Sequence, residues 1–94
     1  MIKHVVMWKF KADKKEEMGE FLSKLEGLKG QINVLKSLET GININEKNDC
    51  DAVLITTFDS LDDLEKYKND PRHLAVSSRC KSIRTERHSV DYII

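Results

Sequence analysis

The chain has 94 residues, which suits one domain with a thin hydrophobic core. Its 16 lysines and arginines balance 16 aspartates and glutamates, so no overall field favours a nucleic acid or an anionic membrane surface. There is neither a leader pattern nor an apolar stretch long enough to span a bilayer, and Cys50 and Cys80 lack metal-binding or disulfide-framework spacing. We therefore expect a cytoplasmic protein with no nucleic-acid or membrane partner.

An alternating apolar pattern opens the chain. Residues 2–10 are rich in β-branched and aromatic side chains, which predicts a strand. His4, Val6, Trp8 and Phe10 share one face of it, because alternate residues of a strand point the same way. A histidine among buried positions must find a hydrogen-bond partner, and imidazole is the commonest general acid or base. His4 is therefore a candidate site residue.

A change of period follows the first strand. Apolar residues recur every three or four positions from residue 14, which predicts an amphipathic helix over residues 14–30 that stops at Gly30. Its core face carries Met18, Phe21, Leu22, Leu25, Leu28 and Ile32. Alternation returns from Val34 to Ile44 and predicts a second strand, followed by a polar loop over residues 45–49. The near-continuous apolar run 52–58 predicts a third strand with both faces covered.

Two helix starts precede the last strand. Ser60 followed by Asp63 resembles a capping box, with Leu61, Leu64 and Tyr67 expected to face inward. Asp70 is a favourable N-cap and Pro71 fits the first helical position, so a further helix is predicted from Pro71 to about Ile83. His73 then lies in its first turn. Residues 84–94 alternate again and predict the final strand.

The order of elements is that of a ferredoxin-like βαββαβ domain spanning residues 1–94. Such an α+β fold has a four-stranded antiparallel sheet with its helices on one face. The other face is left uncovered, and the apolar residues of the opposite parity stand on it: Val5, Met7, Val53 and Ile55. A contiguous apolar patch usually marks an interface, so we expect a homodimer in which two sheets pack face to face.

Four pieces of sequence carry a family resemblance over essentially the whole chain. They are the opening residues 2–11, residues 51–61, Tyr67 together with Pro71 and His73, and residues 90–92. In this order and spacing the chain resembles the stress-responsive A/B barrel (Dabb) family of dimeric α+β barrels. The resemblance implies that the two sheets of the homodimer close into a small barrel. The family includes stress-response proteins and a plant polyketide cyclase that closes a ring by aldol condensation.

The resemblance also implies candidate site residues. The pocket of that cyclase is lined by a strand histidine, a tyrosine and a helix-start histidine, which align with His4, Tyr67 and His73. We therefore expect a pocket between helix and sheet, lined by these three residues together with Val6 and Trp8. A further pocket tyrosine of the cyclase falls on or near Leu25, so the polyketide pocket is not reproduced as a whole.

Two functional hypotheses remain open. The first is a stress-related or small-molecule-binding protein, in which the histidines are structural or line a pocket. The second is a cofactor-free cyclase, lyase or isomerase acting on a small carbonyl compound. In it His73 is the general base, kept neutral by the helix N-terminus, Tyr67 donates to the oxyanion, and His4 holds a second polar group.

Other polar residues give weaker signals. His88 and Asp91 differ in parity, so we expect them on opposite faces of the last strand. Asp91 is expected to form an ion pair or to contact the partner subunit. The sequence has no phosphate loop, nucleophile elbow or metal-ligand cluster, so no cofactor and no metal are expected.

Overall fold

The computed structural model describes residues 1–94, and its elements follow the predicted order. The four strands are β1 (Ile2–Phe10), β2 (Ser37–Ile42), β3 (Ala52–Phe58) and β4 (Arg84–Ile93). The helices are a 3-10 turn (Ala12–Lys14), α1 (Lys15–Glu26), α2 (Leu61–Asn69) and α3 (Pro71–Ile83). All strand pairs are antiparallel, in the order β2-β3-β1-β4. The predicted ferredoxin-like α+β fold is confirmed.

The core lies between the helices and one face of the sheet. Its buried hydrophobic side chains form a single cluster that combines sheet and helix residues. Val6, Trp8 and Phe10 enter it from β1, which confirms the predicted inward face. The Trp8 and Phe21 rings meet edge to face, with their centroids 5.2 Å apart. The first strand and the first helix are thus joined through aromatic packing.

The first helix ends earlier than predicted. Residues 15–26 are helical, and Gly27 forms the C-cap, with its N–H donating to the carbonyl of Ser23. Gly30 lies beyond the helix in a turn with φ of +83°, a backbone conformation that glycine adopts without strain. Leu28 and Ile32 are nevertheless buried. The spacing of apolar residues therefore continues beyond the end of the helix, because the turn that follows also packs on the core.

A single residue joins the second and third helices. Asp70 ends α2 and also caps α3, where its carboxylate accepts the Arg72 N–H at 2.8 Å. The predicted cap at Ser60 is present too, since its hydroxyl accepts the Asp63 N–H at 3.1 Å. These caps fix the start of each helix. They place Tyr67 near the end of α2 and His73 in the first turn of α3.

The second face of the sheet is uncovered. In the strand register Val5 lies opposite Ile55 on β3 and Val90 on β4, so these three side chains share that face. Met7 is 42% exposed and Val90 is 56% exposed, although both are large apolar residues. We call this surface the open face; it carries Val5, Met7, Val53, Ile55, Val90 and Tyr92. No helix of the chain is both long and apolar enough to cross a membrane.

Candidate functional site

A cavity of about 320 Å³ opens between α3 and the helix-covered face of the sheet. Its apolar wall consists of Val6, Trp8, Phe21, Leu25 and Leu54. Its polar wall consists of His4, Lys68, His73, Ser77, Cys80, Lys81, Arg84 and Arg87. Four of the five residues expected to line the pocket therefore do so. The fifth, Tyr67, does not.

His4 is held by an acidic side chain from the neighbouring strand. It lies opposite Asp91 in the β1–β4 register, and its Nδ1 forms a hydrogen bond with the Asp91 carboxylate. A carboxylate can only accept, so Nδ1 carries the hydrogen and Nε2 is left as the acceptor. Burial lowers the pKa of His4, and the bond to Asp91 opposes that effect. Asp91 thus finds a hydrogen-bond partner within the chain, a neutral His4 rather than a cation, on the face opposite His88, as the parity of the strand requires.

His73 is oriented by the end of the preceding helix. Its Nδ1 lies 3.1 Å from the carbonyl oxygen of Lys68, so this nitrogen is the donor and Nε2 is again the free acceptor. The pKa of His73 is lowered by burial first of all, while the Lys68 carbonyl opposes the shift. The neutral form expected from the helix N-terminus is therefore favoured mainly by burial.

Tyr67 lies behind His73 rather than at the cavity wall. The side chain is fully buried, and its ring centroid is 4.4 Å from that of His73 and 5.2 Å from that of Phe58. Burial raises the pKa of Tyr67, so the hydroxyl stays protonated. Its oxygen has no hydrogen-bond partner. Tyr67 therefore supports the ring of His73 from the protein side.

Both histidines leave Nε2 open to the cavity. Neither Nε2 has a hydrogen-bond partner, since His4 and His73 each bond through Nδ1. The Tyr67 hydroxyl is the one fully buried polar side-chain atom without a partner, so neither Nε2 is completely closed off from solvent, although His4 as a whole is only 3% exposed. The cavity that both residues line gives them this access. The site thus presents two acceptors to any molecule that enters.

The lowered pKa values of the histidines make stability depend on pH. Because native His4 and His73 bind protons less readily than a free histidine of pKa 6.5, the unfolded chain takes up more protons below that pH. This contribution to stability is fully present above pH 6.5 and is lost as the pH falls through the lower native values. Urea unfolding should show a falling free energy between about pH 7.5 and about pH 5.5.

The variant His73→Gln measures how much His73 contributes to the decrease in unfolding free energy at low pH. The variant lacks the titrating imidazole, so its free energy of unfolding should decline less over the same pH range than that of the wild type. The carboxyl group of Asp70 does not interfere, because hydrogen bonds from Arg72 hold its pKa at about 2. An equal decline in both proteins would show that His73 does not contribute.

The whole chain matches one protein family. The sequence profile described as the stress responsive A/B barrel domain, Dabb, covers residues 2–94. The chain belongs to the Dabb family. A dimeric protein of unknown function and ferredoxin-like fold from Bacteroides fragilis is 31% identical to this Dabb domain, with a TM-score of 0.92 over 99% of this chain and 95% of that one.

More distant structures share the fold. A Dabb family protein from Mesorhizobium loti is 23% identical, with a TM-score of 0.82 over 99% of this chain and 95% of that one. A hydroxynitrile lyase from Passiflora edulis is 15% identical, with a TM-score of 0.86 over 99% of this chain and 92% of its own. At these identities the likeness shows the fold alone. No curated protein matches this Dabb domain in sequence.

Proposed function

We propose that this Dabb domain binds a small molecule in the cavity between α3 and the sheet, as one half of a homodimer. The observation that carries the proposal is the pair of unpartnered Nε2 atoms, on His4 and His73, in one cavity with an apolar wall. The volume of about 320 Å³ lies at the lower end of the range for small-molecule pockets. A ligand with a compact apolar part and one or two polar groups suits this lining.

A purely structural role leaves part of the geometry unexplained. A histidine that only completes a core is expected to have its polar atoms paired, as buried groups generally are. Here Asp91 and the Lys68 carbonyl each satisfy one nitrogen and fix the tautomer, so that the second nitrogen is an acceptor. A hydrogen bond to one ring nitrogen is what orients the other nitrogen of a binding or catalytic imidazole.

The homodimer is supported by the open face. Its apolar side chains would be an aggregation hazard if they stayed in water. The relative from Bacteroides fragilis, which is 31% identical, is described as dimeric. We therefore propose that two open faces pack together and close an α+β barrel, with the cavities on the outer, helix-covered sides.

Thermal-shift screening with small ketones, amides and carboxylic acids tests the binding role. A ligand at 100 times its Kd stabilises the native state by about 2.7 kcal/mol, which corresponds to several degrees in Tm for a domain of this size. Trp8 is the only tryptophan and lines the cavity, so its emission reports occupancy directly. We expect hits that change both signals. A screen in which no compound changes either would contradict the proposal.

A second candidate function is proton abstraction from a carbonyl compound. It is favoured by the tautomer of His73, whose neutral Nε2 is in the state that a general base needs. His73 would take the proton from carbon next to a carbonyl, leaving an enolate and an imidazolium. The cations of Lys68 and Arg87, which line the cavity, would stabilise the enolate oxygen. His4 would accept a hydrogen bond from a second polar group of the substrate.

Tyr67 takes a different part in this scheme from the one expected from the resemblance. Its hydroxyl is buried behind His73 and not at the cavity wall. We assign it the positioning of the His73 ring and assign the stabilisation of the oxyanion to the cationic side chains. In a cyclase the enolate carbon would then attack a second carbonyl, and the resulting alkoxide would take the proton back from the His73 imidazolium. In a lyase the enolate would expel a leaving group from the β carbon, and that group would leave with the proton.

A further inference from the structure

The cationic side chains of the cavity indicate the charge of its ligand. We infer that the cavity takes a small organic anion, whose apolar body lies against Trp8 and whose carboxylate or phosphate group is held by Arg84 and Arg87. The inference rests on the proposed binding role, because it concerns the same cavity. It adds the chemical class of the ligand.

Positive charge is concentrated at this site. Four cationic side chains line the cavity, namely Lys68, Lys81, Arg84 and Arg87, and no aspartate or glutamate is among its lining residues. The chain as a whole carries equal numbers of acidic and basic residues. A local excess of four cations in a balanced chain favours the entry of an anion.

The two arginines lack the partner that the chain supplies elsewhere. Arg72 makes a two-pronged bond to Asp70 through Nε and Nη2, at 3.0 and 2.9 Å. Arg84 and Arg87 form no ion pair: Arg87 contacts the Ser89 hydroxyl at 3.4 Å, and Arg84 lies within hydrogen-bonding reach of the Cys80 thiol. The acid on the same face of β4, Asp91, is already bonded to His4. Two guanidinium groups are therefore free to bind an anion.

The charge of Arg84 acts on Arg87. Burial lowers the pKa of Arg87, and the neighbouring charge of Arg84 lowers it further, with Asp91 acting in the opposite direction. An anion between the two guanidinium groups would offset the repulsion between them. Arginine is also the side chain whose planar fork fits carboxylate and phosphate groups in two-pronged geometry.

The rest of the cavity sets the remaining features of the ligand. Trp8, Phe21 and Leu25 form an apolar wall, so the body of the ligand is a compact aromatic or aliphatic group. The two histidine Nε2 atoms accept hydrogen bonds, so a hydroxyl group on that body would be recognised. An organic acid with an apolar body and a hydroxyl group would pair with the cations, pack against the apolar wall and donate to the Nε2 acceptors.

Three probes with similar bodies test the charge: 3-phenylpropionate, its neutral amide 3-phenylpropanamide, and phenyl phosphate. Each is titrated into the full chain while Trp8 emission is recorded. We expect an anion to reach half-saturation at a concentration at least about tenfold lower than the amide, since charge-assisted bonds are the stronger ones. Comparison of the two anions shows whether a carboxylate or a phosphate is preferred.

Matched variants localise the effect. Arg84→Gln/Arg87→Gln should bring the anion to within about twofold of the amide, because it removes the charge-assisted contacts that only the anion gains. Lys29→Gln/Arg79→Gln removes the same net charge outside the cavity wall and should keep the preference. Circular dichroism checks that each variant is folded, and Arg87→Gln alone replaces the double variant if the latter unfolds.

Two results would overturn the inference. If the amide binds as tightly as both anions, the ligand is not selected by charge, although binding in the cavity stands. If Arg84→Gln/Arg87→Gln converts a dimer into single chains, the guanidinium groups serve the subunit interface instead. Failure of all three probes to change Trp8 emission, together with an empty thermal-shift screen, would remove the binding role itself.

Discussion

Replacing Val5 by aspartate should convert a particle of about twice the 10.9 kDa chain mass into single chains. Val5 lies in the middle of the open face, opposite Ile55 and Val90. In the proposed dimer its side chain packs against the second sheet, where an unpaired carboxylate is strongly unfavourable. In a single chain the position is partly exposed, so the domain should still fold. Light scattering at micromolar concentration measures both masses.

Leu61→Asp is the matched control for this experiment. Leu61 is 57% exposed at the start of α2, so the prediction that it faces inward with Leu64 and Tyr67 was wrong. It lies outside the open face, and its substitution should leave the mass of the particle unchanged. Circular dichroism separates loss of assembly from loss of folding. A wild-type particle with the mass of one chain would refute the dimer, and so would a Val5→Asp particle that stays at twice that mass.

Removal of the His73 imidazole should slow proton exchange on a carbonyl probe by a factor of about 10² to 10⁴, the usual contribution of a general base. The probe is 4-phenylbutan-2-one in deuterated buffer, and the measurement is the loss of its proton signals next to the carbonyl by NMR. His73→Ala removes the neutral Nε2 that faces the cavity. Tyr67 and Lys68 remain in this variant, but the base that they position is gone.

His88→Ala is the control for this second experiment. His88 lies on the open face, opposite Met7 in the strand register and away from the cavity, and pairs with Glu86 at 3.2 Å. Its removal should leave exchange unchanged, provided that light scattering shows the same particle mass as the wild type. If the wild type accelerates exchange and His73→Ala does so equally, His73 is not the base. If the wild type gives no acceleration while ligands still bind, the protein is a binding protein.

Local sequence signals predicted most of the fold because each depends on neighbours along the chain. The alternation of β1 placed His4 on the buried face, and the caps at Ser60 and Asp70 set the starts of α2 and α3. The predicted end of α1 was wrong because the sequence has two glycines at which the helix could end. Gly27 ends the helix, whereas Gly30 serves the turn that follows.

The partner of His4 depends on strand register, which the sequence alone does not reveal. Parity places Asp91 on the face opposite His88, but it does not say which residue of β1 lies across from it. That pairing joins positions 87 residues apart and is fixed by the packing of β4 on β1. The sequence therefore suggested an ion pair for Asp91 without its partner.

The cationic lining was missed for a similar reason. The alternation of residues 84–94 predicts a strand but does not indicate that Arg84 and Arg87 line a cavity. They reach the cavity because β4 begins directly where α3 ends, with no loop between Ile83 and Arg84. The role of Tyr67 also depends on this arrangement, since the joint at Asp70 places its ring behind His73. The cytoplasmic location expected from the sequence stays a prediction.

The most direct test of the binding role is a crystal structure of the protein with a compound that raises its Tm. We expect density for the compound between α3 and the sheet, against Trp8 and within hydrogen-bond distance of Nε2 of His4 or His73. Density elsewhere on the surface, or a closed and dry core around the two histidines, would contradict it.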